Sequence, residues 1–462
     1  MKRLNLGWPE ASQVTTVNTA FLLCAVMIFG GSSWSAEPGL ALLRSLACVC
    51  AAIGLWTLRR SDIGRHRVLI LLTSLAVMVP ALHLVPLPFS WWSALPGRSV
   101  IVAADTAMGI GRIARPLSMS PDATRDTLTS LVVPAAILIL GIQLPLASHY
   151  RMLRLLLLFV AASAGLGLLQ ASGLDISLYQ DATATPGLFA NRNHAATLLA
   201  LIFPLCAALR GLERPGRPAD RRWTWGATGI ALLAIPLMIV TGSRSGLALG
   251  ACAMLGAPLV LAPDTAPGSS LRAKPGLVID RKWLWAAGIG SIVLLTVATV
   301  IVSRDVGLNR FGRINEDLRW PLWQSIAATI AAYMPWGSGI GSFALANQIL
   351  EPDSMLRPDF SNHAHNDWLE IVFTGGLPAL LVLIAALGFF ARAMLRAWRS
   401  RGREAVLARL GAIIVVLFGL ASVTDYPLRT PIFLALFILA LIWATSVDAG
   451  LPAAPHASRE KP

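Results

Sequence analysis

Four polar constellations interrupt this chain, and each contains residue types that bind anions or transfer protons. They are GLFANRNH at 187–194, TGSRSG at 241–246, the stretch from Arg319-Trp320 to PWGSGIGSF at 335–343, and NHAHNDWLE at 362–370. A guanidinium group binds phosphate through two parallel hydrogen bonds and stays charged at any physiological pH. Several arginines at one cavity would therefore suit a ligand with several phosphate oxygens, such as a lipid diphosphate.

The histidines supply the other half of such a reaction. A histidine can take a proton from an attacking hydroxyl while nearby arginines stabilise the charge that develops on a departing diphosphate. His363 and His365 stand two positions apart. Both could bind one metal ion only if the chain is extended there, whereas a base role needs only one of them. Together these groups would suit glycosyl transfer from a lipid diphosphate donor.

Structural interpretations compete with these functional ones. The 187–194 segment is typical of a helix start at the membrane interface, and Arg244 could extend its head group to the membrane surface. The alternating glycines of 335–343 could cradle a phosphate, but the pattern favours a turn between two re-entrant helices. The 362–370 segment is equally typical of a polar helix start.

A lesser motif, DYPLR at 425–429, lies between the last two apolar windows. It predicts an ion pair between Asp425 and Arg429 that caps two helices. The same two residues could still face the cavity formed by the other constellations.

The elements that must position these groups are membrane helices. Of the 462 residues, 55% are hydrophobic and only 13% are charged, whereas an ordinary soluble domain carries about 25% charged residues. A soluble fold is therefore excluded. The sequence predicts an all-α polytopic integral membrane protein with about 12 transmembrane helices and a long periplasmic loop containing short helices. The predicted spans are roughly 18–33, 39–58, 67–87, 126–145, 152–172, 194–209, 223–241, 245–262, 283–302, 368–391, 407–423 and 431–447.

The distribution of Lys and Arg predicts the orientation of these spans. The side that holds the N-terminus collects most of the cations, notably those of 59–67, 151–154, 210–222, 272–282, 392–409 and the C-terminal tail. By the positive-inside rule both termini are cytoplasmic. The whole chain, 1–462, is then a single transmembrane domain, and 303–366 form a large periplasmic loop between helices nine and ten. All four constellations fall on the periplasmic side.

The net charge of +14 follows largely from this asymmetry. Contact between the cytoplasmic clusters and anionic membrane lipids explains it without a nucleic-acid partner. The five cysteines all lie within apolar runs, and their spacing predicts neither a zinc site nor a disulfide framework.

The ordered motifs resemble the O-antigen ligase and O-antigen polymerase superfamily of bacterial inner-membrane enzymes. The resemblance covers roughly 180–390 and rests on Gly187-x-Phe189-x-Asn191, Ser243-Arg244-x-Gly246, Arg319 with Trp323, Pro335-x-Gly337-x-Gly339 with Phe343, and His363-x-His365-Asn366-x-x-Leu369-Glu370. It implies an inverting, metal-independent glycosyltransferase that needs no cofactor. The implied donor is a glycan linked to undecaprenyl diphosphate, used at the periplasmic face of the inner membrane.

The resemblance also implies roles for individual residues. Arg244 and Arg319 match the positions that bind the donor pyrophosphate, and His365 matches the residue that activates the acceptor. Either histidine of the pair could act, and His365 is preferred because it adjoins Asn366. Further candidates for the same site are Arg192, His194, His363, Asn366, Asp425 and Arg429.

The motifs leave the acceptor open. A ligase transfers the glycan to lipid A-core oligosaccharide, a polymerase transfers it to another lipid-linked repeat, and a related group of enzymes modifies protein. The span count and the long loop before span ten favour the ligase, with the polymerase as the main alternative.

A transporter of lipid-linked glycan or another anion is a hypothesis from a different class, but such carriers tend to show paired repeats. A metal-dependent glycosyltransferase is disfavoured because the sequence has no Asp-x-Asp, and Glu351-Pro-Asp353 is its nearest substitute.

Overall fold

The computed structural model describes residues 8–34, 36–174, 176–179, 187–214, 217–261, 319–355 and 361–450. These residues are predominantly helical. The strands among them are β1 (Pro86–Leu87) and β2 (Arg115–Pro116), which pair antiparallel with Pro86 opposite Pro116. The predicted all-α architecture is therefore confirmed.

The described helices are numbered here in chain order. They are α1 (Trp8–Phe29), α2 (Pro38–Thr57), α3 (Arg60–Arg65), α4 (Arg67–His83), α5 (Phe89–Trp92), α6 (Ser99–Ala107), α7 (Pro121–Ser130), α8 (Val132–Gly141), α9 (Leu146–Ala171), α10 (Arg192–Ala200), α11 (Ile202–Leu212), α12 (Pro218–Val240), α13 (Arg244–Val260), α14 (Arg319–Thr329), α15 (Phe343–Leu350), α16 (Asp367–Arg399), α17 (Arg403–Thr424), α18 (Pro431–Ala444) and α19 (Ser446–Ala449). Short 3-10 turns lie at Ile330–Tyr333, Asp353–Met355 and Pro427–Arg429.

Eight helical segments of the described chain are long and apolar enough to cross a membrane, and the protein is a multi-pass membrane protein. They are Ala11–Phe29, Pro38–Thr57, Pro121–Gly141, Leu146–Ala171, Arg192–Leu212, Pro218–Val240, Asp367–Arg399 and Glu404–Thr424. Three shorter apolar helices, α4, α13 and α18, coincide with further predicted spans. Eleven of the predicted windows thus contain a helix, while the window at 283–302 lies outside the described residues. Helices α14 and α15 fall within the predicted 303–366 loop, of which 303–318 and 356–360 are not described.

The centre of the bundle is formed by the α10–α11 segment and α17. In both spans 78% of the residues are buried by protein, against 28–44% in the other six. Helix α17 packs on α11, α13, α16 and α18. The α10–α11 segment and α17 are therefore shielded from lipid by the helices around them.

Helix α16 is broken near its start by Gly376, whose backbone has φ 59° and ψ −155°. The 335–343 run fits into this break, since Leu377 N donates to Pro335 O and Gly339 N donates to Thr374 O. A Cβ at Gly376 would lie 2.3 Å from Pro335 O. Only glycine permits this close approach of two backbones.

A second, smaller apolar cluster holds the 319–355 segment against the start of α16. Its buried members are Met119, Leu322, Ile326, Tyr333, Phe343, Ala346, Ala364 and Phe373. Because Ala364 separates the two histidines, this cluster also anchors the loop that carries them.

Candidate functional site

Three helices begin at one place in the structure. At each of them the side chain of the N-cap residue, which precedes the helix, accepts a hydrogen bond from a backbone amide of the first turn. Asn191 Oδ1 accepts from Asn193 N at the start of α10, Ser243 Oγ accepts from Gly246 N at the start of α13, and Asn366 Oδ1 accepts from Leu369 N at the start of α16. Such caps satisfy amides that have no partner inside the helix. Helix N-termini carry partial positive charge, and this end of the bundle is therefore suited to an anion. We call it the site end.

A polar relay connects these helix starts. Ser243 Oγ donates to Asn193 Oδ1 at 2.7 Å, and Asn193 Nδ2 donates to Asp425 Oδ2 at 2.7 Å. The other carboxylate oxygen, Asp425 Oδ1, lies 3.6 Å from His365 Nδ1. That last distance is longer than a hydrogen bond, and it allows an ion pair when the imidazole is protonated. The 187–194, 241–246 and 362–370 constellations are thus brought together through Asp425.

Asp425 keeps a low pKa although it is buried in this relay. The side chain is only 5% exposed, and burial alone would raise its pKa. The pKa is nevertheless lowered, because interactions with His365, His194 and Arg319 favour the carboxylate. The effect of Arg319 on this carboxyl places the arginine within electrostatic range of the relay.

His365 is held in an uncommon backbone conformation. Its φ is +50°, a left-handed value that non-glycine residues adopt infrequently and mostly where surrounding contacts enforce it. The preceding residue supplies those contacts, since Ala364 N donates to Glu370 Oε2 at 2.9 Å and Ala364 O accepts from Trp323 Nε1 at 2.9 Å. The imidazole is 31% exposed and is thus accessible from the site end.

His363 belongs to a different set of contacts. Its Nδ1 lies 3.1 Å from Glu370 Oε1, and Arg429 Nη2 lies 3.2 Å from the same oxygen. Arg429 Nε also donates to Asp367 Oδ1 at 3.1 Å. The predicted ion pair between Asp425 and Arg429 is therefore wrong. The chain turns at Pro427–Arg429, and this turn directs Asp425 towards α10 and Arg429 towards the first turn of α16.

Tyr426 separates the two histidines. Its ring centroid lies 4.4 Å from that of His363 and 4.9 Å from that of His365. Burial and the neighbouring Asp425 charge raise the pKa of Tyr426 to about 12, so the phenol stays neutral. On its other side Tyr426 meets the ring of His194.

His194 is 1% exposed and packs edge-on against Phe189 and Phe433 as well as Tyr426. It therefore lies beneath the relay rather than at the accessible surface of the site. The position of His194 is explained by packing among aromatic rings. Because its imidazole is buried, His194 does not supply an accessible base.

Two of the three candidate arginines begin helices at the site end. Arg192 and Arg244 are the first helical residues of α10 and α13, and Arg319 lies in α14. Arg244 is exposed, and Arg192 and Arg319 are partly exposed. The charges of Arg192 and Arg244 are thus added to the positive ends of their helices.

The 335–343 run does not form the phosphate cradle that its glycines also allowed. The amides of Gly337, Ser338 and Gly339 donate to carbonyls of Tyr333, Phe373 and Thr374, and Ile340 N donates to His83 Nδ1. The segment is a turn, as the favoured interpretation predicts, and the amides of Ser338, Gly339 and Ile340 join it to α16 and α4. The re-entrant course of its flanking helices stays a prediction. Throughout the described ranges no group of three or more His, Cys, Asp or Glu side chains is arranged to hold a metal ion.

Sequence reasoning placed some members of the site only loosely. Asn193 and Ser243 lie inside the first two constellations, and Ser243 begins the Ser243-Arg244-x-Gly246 motif. The sequence assigns neither residue a role, although serine is a typical helix cap. Glu370 was part of the fourth motif without an assigned role. Tyr426 had no distinguishing signal, since a single tyrosine between two apolar windows is common at a membrane interface.

Part of the chain matches a known protein family. A sequence model of the O-antigen ligase family matches residues 229–384. The matched range contains Arg244, Arg319 and both histidines of the 362–370 segment, whereas the first constellation and Asp425 lie outside it. No curated protein matches the chain.

Proposed function

We propose that this multi-pass membrane protein transfers a glycan from undecaprenyl diphosphate to a hydroxyl of lipid A-core oligosaccharide. The match of residues 229–384 to the O-antigen ligase family supports glycosyl transfer of the ligase or polymerase type, with lipid-linked glycans as substrates. The donor, the acceptor and the mechanism are the parts that we add.

His365 is the proposed base. Its imidazole takes the proton of the acceptor hydroxyl as the oxygen attacks the anomeric carbon of the donor sugar. Asp425 orients the ring from the Nδ1 side and stabilises the imidazolium that forms, which leaves Nε2 for the acceptor. The bond between the anomeric carbon and the diphosphate oxygen breaks, and attack from the opposite face inverts the configuration.

Arg244 and Arg319 are the proposed ligands of the departing diphosphate. As the glycosidic bond breaks, negative charge grows on the leaving oxygen, and fixed guanidinium groups stabilise it without reorganising. The N-termini of α10, α13 and α16 add to this field. Because permanent charges of the protein fill this role, we propose that the reaction needs no metal ion.

Arg192 and Asn366 are proposed to support this arrangement from the starts of α10 and α16. Arg429 and His363 stabilise the fold of the loop through Glu370 instead.

The proposed location is the bacterial inner membrane, with the site facing the periplasm and both termini in the cytoplasm. The asymmetry of Lys and Arg supports this orientation. Undecaprenyl-linked polymers would then reach the site from the outer leaflet.

The observation that carries the proposal is the relay from Ser243 through Asn193 and Asp425 to His365. It joins an accessible histidine to the start of the helix that presents Arg244.

The test is the envelope glycan profile of a strain in which the gene is deleted. Lipid A-core without any polymer, together with full-length chains retained on the lipid carrier, supports the ligase. Single repeats on the core would instead establish a polymerase, and an unchanged profile would contradict both. Complementation with the natural sequence is the positive control, and His365→Ala at equal protein level separates loss of chemistry from loss of the protein.

A further inference from the structure

A cavity lies at the end of the bundle opposite the site end. It has a volume of about 740 Å³ and is lined by the start of α9, the end of α11, the start of α12 and the link between α16 and α17. Helix α17 has 22 residues and runs from this cavity at Glu404 to the relay at Asp425, a length of about 33 Å. The cavity is therefore separate from the site proposed to bind the donor.

The lining of this cavity is strongly basic. Four arginines, Arg151, Arg154, Arg214 and Arg401, face two carboxylates, those of Asp220 and Glu404. Asp220 is 6% exposed and is shared by two of the arginines, since Arg154 Nη2 and Arg214 Nε both lie 2.7 Å from its oxygens. The carboxylate fixes this pair in place, and the whole lining keeps two positive charges in excess.

An apolar groove continues from the cavity towards the middle of the bundle. It has a volume of about 420 Å³, lies between α9 and α12, and shares Trp223 with the cavity. Its other lining residues are Leu157 and Leu158 on α9 and Ala219, Arg222, Gly226 and Ile230 on α12, so that Arg222 is the one charged residue among otherwise apolar groups. Gly226 and Ile230 are about one and two turns beyond Trp223. The groove therefore follows the helix axes, as an acyl chain in a bilayer does.

From this juxtaposition we propose that the cavity and groove form a binding site for an anionic phospholipid, with the phosphate headgroup among the arginines and an acyl chain between α9 and α12. The basic cavity complements the phosphate, and guanidinium groups bind its oxygens bidentately. A free phosphate ion would use the cavity but leave the groove unfilled. The groove is thus the feature that commits the site to a lipid.

The bound lipid would contact the α10–α11 span at the end opposite the site. Helices α9 and α12 form the walls of the groove, and the end of α11 lines the cavity. Since α11 continues from α10, an occupant here contacts the same membrane span that begins at Arg192.

The experiment is a lipid titration of the delipidated full-length protein, followed by native mass spectrometry, with cardiolipin, phosphatidylglycerol and phosphatidylethanolamine as separate probes. Arg151 and Arg401 are both exposed. The double substitution Arg151→Gln with Arg401→Gln should weaken binding of the two anionic lipids by about 30-fold, at roughly 1 kcal/mol for each cation. The control is Arg60→Gln with Arg67→Gln, which removes the same charge from exposed positions outside the cavity and should leave binding within twofold of the natural protein.

A second pair of variants tests the groove without changing any charge. A Cβ at Gly226 or at Gly229 meets no atom within 4 Å, but only Gly226 lines the groove. Gly226→Leu should reduce retention of phospholipid several-fold, while Gly229→Leu should not. Both substitutions raise helix propensity equally, so folding cannot explain a difference between them.

Three results would overturn the proposal. The first is equal affinity for phosphatidylethanolamine and the anionic lipids. The second is an equal loss of binding in the cavity and control variants. The third is displacement of anionic lipid by millimolar inorganic phosphate together with no effect of Gly226→Leu, which would identify a soluble anion as the occupant. None of these outcomes depends on glycosyl transfer.

Discussion

His363 and His365 differ in their surroundings although only one residue separates them. His365 faces Asp425 and is 31% exposed, whereas His363 is 19% exposed and is bound to Glu370. Glu370 is 1% exposed and also contacts Arg429. An oriented and accessible imidazole suits proton transfer, and an imidazole within a buried ion network suits support of the loop. The structure thus gives a physical reason to separate their roles.

His365→Ala should lower turnover by about 100-fold or more, the usual scale for loss of a general base. Donor binding should remain nearly unchanged, because the diphosphate contacts lie on other residues. Turnover per folded molecule and binding of the lipid donor are the two measurements. His363→Ala is the comparison, and its principal effect should be on the amount of folded protein. Normal turnover in His365→Ala with loss in His363→Ala would reverse the assignment, and activity in both would end the base hypothesis.

Asp425→Asn should also lower turnover, by about tenfold or more, since an amide keeps the shape but no longer stabilises an imidazolium. The pKa of Asp425 is lowered, so the carboxylate should remain ionised above its ordinary range near pH 4. The ionised carboxylate therefore stabilises the folded protein at every pH above the ordinary pKa of an aspartate. This stabilisation is lost as the pH falls through the lower pKa that Asp425 has in the folded protein. The measurement is turnover of the variant at neutral pH, beside the exposed control Asp353→Asn. Equal activity of the two variants would remove Asp425 from the mechanism.

Arg244→Lys and Arg319→Lys keep the charge but lose the planar fork. Both should be impaired if the diphosphate is held bidentately, and the alanine variants should be weaker still in donor binding and in turnover. Donor titration with each variant measures the first effect and single-turnover kinetics the second. Arg112→Lys, an exposed arginine outside the helix starts, is the matched control. Wild-type affinity in both lysine variants would argue against a bidentate contact.

Residue types were easier to predict than residue partners. The spacing of the histidines and the isolation of Arg244 in a short turn are visible in the chain itself. By contrast, Asn193 and Asp425 are 232 residues apart, and Arg429 contacts Asp367 across 62 residues. Such pairs depend on how the helices pack, which no local pattern encodes. The predicted Asp425–Arg429 pair is wrong because these two side chains, though close in sequence, have partners on different helices: Asp425 contacts Asn193 and Arg429 contacts Asp367.

At the scale of elements, apolar periodicity predicted helices well because a membrane helix must satisfy its backbone internally. The least predictable element was the junction between the 335–343 run and α16. The two segments approach each other closely at Gly337 and Gly376. A Cβ added to Gly337 would lie 2.4 Å from Thr374 O, and one added to Gly376 would lie 2.3 Å from Pro335 O. A glycine pattern alone is compatible with a ligand cradle or with a backbone contact, and only the fold distinguishes the two.

Gly376→Ala should therefore destabilise the protein, by about 1–3 kcal/mol for the backbone conformation alone with the contact to Pro335 O added. The outer segment would be displaced, and the loop with both histidines would move with it. Thermal unfolding in detergent is the measurement. Gly388→Ala lies in the same helix, where a Cβ meets no atom within 4 Å, and it should be neutral or slightly stabilising. Equal stability of the two variants would show that the break at Gly376 does not need glycine.

At the scale of the whole molecule, the two ends of the bundle are chemically different. The site end collects helix N-termini, a carboxylate relay and two histidines, and the opposite end collects Arg151, Arg154, Arg214 and Arg401 around one cavity. A basic end of this kind is the side that the positive-inside rule assigns to the cytoplasm. The proposed compartments of donor, acceptor and phospholipid all depend on this one orientation.

Reporter fusions test that orientation directly. A fusion after Arg217, next to the basic cavity, should report the cytoplasm, and a fusion after Asp353, in the segment packed over the start of α16, should report the periplasm. A periplasm-active phosphatase and a cytoplasm-active fluorescent protein at each position give opposite signals, so that poor expression cannot imitate a result. If both positions report the same compartment, the predicted alternation of spans between them is wrong. If the two compartments are exchanged, the site faces the cytoplasm, and a donor in the outer leaflet could not reach His365.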